Sequence, residues 1–169
     1  MKSLSTQLIN YAAYHRNPNN ILTHFIGIPM IVLSVAIILA HPLFYIGQLA
    51  ITPTLVLVII ASSYYLCLDF RLGLAMCLFL FFCYFLSNYI VQLFAFAWLI
   101  VGAGLFIVGW IIQFIGHFFE GRKPAFIDDI MGLAIGPLFV MAELSFLLNM
   151  RLELKQEIEA AFTVKNNHQ

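Results

Sequence analysis

Four apolar runs, each close to the length needed to cross a bilayer, constrain this chain more than anything else in it. A hydrocarbon core of about 30 Å takes about 20 residues of helix at 1.5 Å rise per residue. By that ruler the spans are Leu22 to Ala40, Ile51 to Leu68, Leu72 to about Ser87, and Leu93 to Ile115. Short polar separators lie between them: His41-Pro42 with Gly47-Gln48, then Asp69-Phe70-Arg71, then Ser87-Asn88-Tyr89. In lipid every backbone group must find its partner inside its own segment, so the runs are helices. The fold class expected is an all-α integral membrane protein forming one membrane domain over residues 1–169. An amphipathic helix and loop occupy 1–20, a helical bundle 21–150 and a tail 151–169.

Composition agrees: 63% of the 169 residues are hydrophobic and 9% are charged, far from the quarter charged of a soluble domain. Eight Lys plus Arg balance eight Asp plus Glu, so no basic surplus points to nucleic acid. Before Ile21 there is no apolar run of signal-peptide length, so no cleaved leader is expected. The three cysteines, Cys67, Cys77 and Cys83, fall in apolar runs without a CxxC pair and read as small buried hydrophobes.

Orientation follows from the cations, because Lys and Arg near span ends stay on the cytoplasmic side. Lys2 and Arg16 precede the first span, Arg71 separates the second and third, and Arg122-Lys123 follow the fourth; loops 41–50 and 88–92 contain none. The N-terminus is therefore expected in the cytoplasm, with the protein in a bacterial inner membrane or the endoplasmic reticulum. The last apolar stretch, Phe126 to Met150, carries Asp128, Asp129 and Glu143 and contains Gly136-Pro137. Proline removes a helical hydrogen bond, and a broken re-entrant or interfacial hairpin there keeps every cation on one face. That is preferred to a fifth crossing.

Residues 3–15 form an amphipathic helix with Leu4, Leu8, Tyr11, Ala12 and His15 on one stripe and Ser3 or Ser5 as its cap. The tail RLELKQEIEAAF forms a second surface helix with Leu152, Leu154 and Ile158 apolar.

This topology brings three histidines to one face. His15 ends the amphipathic helix, His24 opens the first span and His117 closes the fourth. Gln113, His117 and Glu120 share a helix face through i, i+4 and i, i+3 steps. Three imidazoles and a carboxylate suit a borderline divalent metal such as Fe(II), Mn or Zn. The competing account is that each histidine is an interfacial hydrogen-bonding residue. His41 belongs to the opposite end of the first span and receives no metal role; His168 falls in a terminus expected to be disordered.

The segments YHRNPNNILTHFIGIP (14–29) and QFIGHFFEGRKPAF (113–126) resemble a small membrane family once known only as a domain of unknown function. Its studied fungal member is a 2-hydroxy fatty acid dioxygenase in phytosphingosine breakdown. The resemblance implies an Fe(II)-dependent α-oxidation, in which a long-chain 2-hydroxy fatty acid and O2 yield the one-carbon-shorter aldehyde. It implies metal ligation by His15, His24 and His117, with Glu120 as a catalytic candidate, either as a ligand or as the acceptor that fixes a histidine tautomer. Arg16, Arg122 and Lys123 are the residues placed to attract the substrate carboxylate. The partners are then the substrate, O2 and the lipid bilayer, and a homo-oligomer is compatible with the sequence. Alternatives are a small transporter or scaffold, a zinc-dependent lipid hydrolase, and a haem protein with two axial histidines. Almost no ionisable residue lies inside the spans, which disfavours transport of ions or polar solutes.

Overall fold

The computed structural model describes residues 3–166, so Lys2 and His168 lie outside the described residues. Helix α1 (Leu4–Ala12) starts at Ser3, whose hydroxyl accepts from the Thr6 N–H. Helix α2 (Pro18–Ile38) starts at Asn17 with proline in its first turn, where a missing N–H costs nothing. A two-stranded hairpin follows, β1 (Phe44–Ile46) against β2 (Leu49–Ile51), antiparallel with Phe44 opposite Ile51. Helices α3 (Pro53–Leu68) and α4 (Phe70–Leu93) meet at Asp69, whose side chain caps α4 by accepting from the Leu72 N–H. Helix α5 (Trp98–Glu120) ends at Gly121 in the left-handed conformation. A short 3-10 turn (Ala125–Ile127), α6 (Gly132–Leu147) and α7 (Leu152–Asn166) complete the chain.

Among the described residues, α2, α4 and α5 are long and apolar enough to cross a membrane; α3, at 16 residues, is a shorter apolar helix. Their outward faces carry exposed side chains such as Leu22, Ile60, Phe82, Phe85, Ile100 and Ile107. In water such a surface would aggregate, whereas in lipid it is solvated. The protein is thus an all-α membrane protein, and among the described residues its strands are confined to the 44–51 hairpin.

Several expected boundaries move. Ser87-Asn88-Tyr89 is not a loop: α4 runs through it to Leu93. The Ser87 hydroxyl and the Asn88 amide both donate to the Tyr84 carbonyl one turn back, which satisfies them inside the helix. The turn falls at Phe94–Ala97 instead. Gly136-Pro137 does not break its helix either, because α6 is continuous through Pro137. The chain turns after α6, where Asn149 and Arg151 adopt positive φ and α7 departs at 112°. The hairpin at 44–51 was not expected. Of the cysteines only Cys83 is buried; Cys77 is half-buried and Cys67 exposed, facing outward in a helix where lipid replaces protein.

Both ends of α6 are tied to the same end of the bundle. Ahead of it, Asp128 accepts from the Tyr14 hydroxyl at 2.9 Å and pairs with Lys123. Behind it, Arg151 donates two 2.8 Å bonds to the Asp69 carboxylate at the α3–α4 junction. Burial alone would raise the Asp69 carboxyl, but the Arg151 guanidinium and the Leu72 and Arg71 N–H groups outweigh it and hold the group below its ordinary value. The pair α6 and α7, bent by 112°, has the length and composition of either a broken span or a re-entrant segment. Helices α1, α6 and α7 form a cap over that end, sharing a core that includes Leu8, Tyr11, Leu138, Phe139, Leu154 and Ile158. Leu152, expected on the apolar face of α7, is exposed.

Candidate metal centre

Helices α2 and α5 cross at very close range, and the cause is a glycine every seventh residue on α5. A Cβ added at Gly102 would fall 2.9 Å from Ile38, one at Gly109 3.2 Å from the Gly27 carbonyl oxygen, and one at Gly116 2.5 Å from Asn20 Oδ1. Small residues at that spacing let two membrane helices approach backbone to backbone. The approach puts His117, next to Gly116, beside His24. On the other side α1 packs its buried stripe onto α6 and delivers His15 from the turn that follows it.

The three rings meet inside the protein. His15, His24 and His117 are 2%, 1% and 7% exposed. Ring centroids lie 4.5 Å apart for His15 and His24, 5.0 Å for His15 and His117, and 5.3 Å for His24 and His117, with planes 66° to 81° apart. One ring nitrogen from each lies within 4.8 Å of the other two. A metal bonded to three imidazoles at about 2.1 Å brings their nitrogens to roughly 3.0–3.4 Å of one another, so closing on an ion takes an inward movement of the rings.

The hydrogen-bonding pattern leaves the right nitrogens free. Nδ1 of His15 lies 2.8 Å from the Tyr11 carbonyl oxygen, and Nδ1 of His24 2.8 Å from that of Asn20. A carbonyl only accepts, so both Nδ1 atoms carry the proton and both Nε2 atoms keep a lone pair, the arrangement that orients metal-binding histidines. Nε2 of His15 and Nδ1 of His117 are buried without a hydrogen-bond partner among the described residues. Two unpartnered nitrogens side by side in a dry site are costly unless something electrophilic occupies the space between them, and a divalent metal fits. Burial pushes the His15 imidazole down to about 4, against the opposing effect of the Tyr11 carbonyl, so the ring is neutral, as ligation requires. Tyr11 stacks flat on it at 4.1 Å.

Glu120 holds this arrangement from outside the ring cluster. Its carboxylate accepts from the Arg16 N–H at 3.0 Å, the Asn17 N–H at 2.8 Å and the Asn20 amide at 3.0 Å. It therefore ties the end of α5 to the turn between His15 and α2. Among the described residues no carboxylate joins the three imidazoles within 4.8 Å. The three cations have partners at the same rim. The Arg16 guanidinium sits 4.4 Å over the Phe162 ring, Arg122 donates to the Ala13 carbonyl at 2.9 Å, and Lys123 pairs with Asp128 at 2.5 Å. His41 lies at the far end of the bundle, 6.2 Å from the Trp98 ring.

Beneath the histidines a cavity of about 570 Å³ extends between the helices. His24, His117 and Tyr11 line its head; Ile28, Val32 and Ala36 mark its course along α2 toward Thr54. From His24 to Ala36 is about 18 Å of helix. Its walls are almost wholly apolar, with Gln113 as an added polar group one turn below His117.

Fold and site together define a helical membrane protein with a buried three-histidine candidate metal centre at the head of an apolar cavity. The chain belongs to the Mpo1-like family, described as 2-hydroxy-palmitic acid dioxygenase Mpo1-like, whose pattern matches residues 1–148. It is 36% identical over 168 residues to the 2-hydroxy-palmitic acid dioxygenase MPO1 of Saccharomyces cerevisiae, covering 98% of this chain and 92% of the yeast protein. No solved structure matches.

The glycine stripe that closes α2 onto α5 was missed in the sequence, although the seven-residue spacing of Gly102, Gly109 and Gly116 was a readable signal. The part played by Asn20, which holds both His24 and Glu120, had no such signal.

Proposed function

We propose that this protein is an Fe(II)-dependent dioxygenase that converts long-chain 2-hydroxy fatty acids, with O2, into aldehydes one carbon shorter. The observation that carries the proposal is the set of three buried imidazoles, two with unpartnered nitrogens, at the head of a deep apolar cavity. Membership in a family named for a 2-hydroxy-palmitic acid dioxygenase supports it.

His15, His24 and His117 would hold the iron, their three imidazoles suiting a divalent ion of this type. When bound, the metal supplies a Lewis acid and the electrons that activate O2. The chain's own contribution is placement. The cavity holds the acyl tail, each buried methylene contributing about 0.8 kcal/mol, and its depth of about 18 Å compares with one leaflet of a 30 Å core. A tail so held presents C1 and C2 to the histidines, and confinement of this kind accounts for a large part of catalysis by positioning. The apolar walls exclude water from the head of the cavity. Arg16, Arg122 and Lys123 form a cationic rim that draws the carboxylate toward the interface, and that rim lies on the cytoplasmic side.

The test is metal analysis of protein purified in detergent, followed by anaerobic Fe(II) loading and addition of 2-hydroxypalmitate and O2. One iron per chain with formation of the C15 aldehyde is the expected result. Zinc without aldehyde overturns the proposal in favour of a hydrolase, and absence of any metal returns the histidines to a packing role.

A further inference from the structure

Gln113 is 4% exposed, yet its carboxamide makes no hydrogen bond among the described residues, and Nε2 is sealed from solvent. An amide in that position carries an uncompensated desolvation cost, which an apolar side chain of the same size would avoid. The structure instead makes room for it. Gly27 on α2 lies directly opposite, and a Cβ there would stand 2.7 Å from Gln113 Nε2. Gln113 also lines the cavity, one helical turn below His117 and beside the segment one turn below His24.

We propose that Gln113 is the residue that selects a 2-hydroxy acid, by pairing with the substrate headgroup held at the histidines. The inference rests on the dioxygenase reading above and names the chemistry of its specificity. A carboxamide presents a donor and an acceptor side by side, and a 2-hydroxy carboxylate presents the matching pair. The carboxylate oxygen accepts from Nε2, and the hydroxyl donates to Oε1. An unsubstituted fatty acid satisfies the first bond and leaves Oε1 facing nothing. Sites built to hydrogen-bond a substrate hydroxyl discriminate strongly against analogues that lack it, because the protein group is stranded. Turning the amide over leaves one end without a partner in every case, so the matched substrate alone satisfies both ends.

The experiment measures dissociation constants of 2-hydroxypalmitate and palmitate for the anaerobic Fe(II)-loaded protein in detergent, in wild type, Gln113→Met and Gln113→Glu. Metal content, thermal unfolding, and kcat and KM in O2 are measured alongside. Gln113→Met is expected to keep its metal and its unfolding temperature, and to bind 2-hydroxypalmitate about 10- to 100-fold more weakly. Palmitate loses less, so the preference collapses, and KM rises more than kcat falls. Gln113→Glu, nearly the same shape, weakens both acids because like charges meet. It serves as the test if the Met variant does not fold. Unchanged preference in Gln113→Met, unchanged affinity in Gln113→Glu, or loss of metal from the Met variant overturns the inference while leaving the dioxygenase reading intact. A wild type that binds the two acids equally also overturns the inference alone, whereas a wild type without metal or without aldehyde overturns the dioxygenase reading.

Discussion

Replacing Glu120 separates a residue that positions the site from one that works in the reaction. Its carboxylate satisfies three donors, the Arg16 and Asn17 N–H groups and the Asn20 amide, at 2.8 to 3.0 Å. Hydrogen bonds to a charged acceptor contribute about 1.5–3 kcal/mol each. Arg16 is exposed, so water replaces its lost acceptor in Glu120→Ala; Asn17 is half-buried and Asn20 fully buried, and these two bear the cost. The expected destabilisation is about 2–4 kcal/mol for Glu120→Ala and about half of that for Glu120→Gln, which keeps one oxygen. The same bonds tie His117, three residues before Glu120, to His15 and His24 on either side of the 16–20 turn. Loss of an outer partner of this kind lowers metal affinity about 10- to 100-fold. Thermal unfolding in detergent and an Fe(II) titration read the two effects. A Glu120→Ala protein with wild-type stability and metal affinity but no turnover would refute this reasoning and make Glu120 a participant at the reacting atoms.

Metal content should vanish in His117→Ala and stay at the wild-type level in His41→Ala, measured by elemental analysis; equal content in both contradicts the site. Ala36, buried on the course of the cavity, sets its depth, so Ala36→Phe should move the substrate optimum to shorter 2-hydroxy acids at little cost for those chains. An unchanged chain-length profile would place the tail elsewhere. Asp69 carries the pH dependence outside the spans. Its folded value lies below the ordinary 3.8, so the unfolded chain binds the proton more tightly and stability is lost as pH falls from about 4 through the folded value, while above pH 5 it is flat. In Asp69→Asn that acid-side loss should shrink, and α7 should become more open to proteolysis at neutral pH. An acid limb identical to wild type would show that the Asp69–Arg151 pair contributes nothing.

The helices of the bundle were legible because the bilayer makes a simple demand: a run of apolar residues long enough to cross must close its own hydrogen bonds. The buried stripe of α1 was legible for the same kind of reason, since Leu4, Leu8, Tyr11, Ala12 and His15 recur at helical spacing and all five are buried. Errors fell where local polarity was taken for a break. Ser87 and Asn88 satisfy themselves against Tyr84, and Pro137 is accommodated within α6, so neither ends its helix. The course of the chain after α6 was hidden because it depends on Arg151 meeting Asp69, 82 positions earlier.

Sequence by itself determined that this is a membrane-embedded helical bundle and that three histidines gather at one end of it. Hydrophobic length and the alternation of charged loops act locally, and parity of crossings decides which end each residue reaches. Tertiary structure alone decided that the three rings converge with one nitrogen of each within 4.8 Å of the other two, that Glu120 clamps the turn instead of joining them, and that Gln113 faces a cavity with no partner for its Nε2 among the described residues. Those facts turn on how closely α2 approaches α5 and how α1 and α6 cap the end, distances of an ångström or two set by the glycine contacts and side-chain packing between segments far apart in the chain.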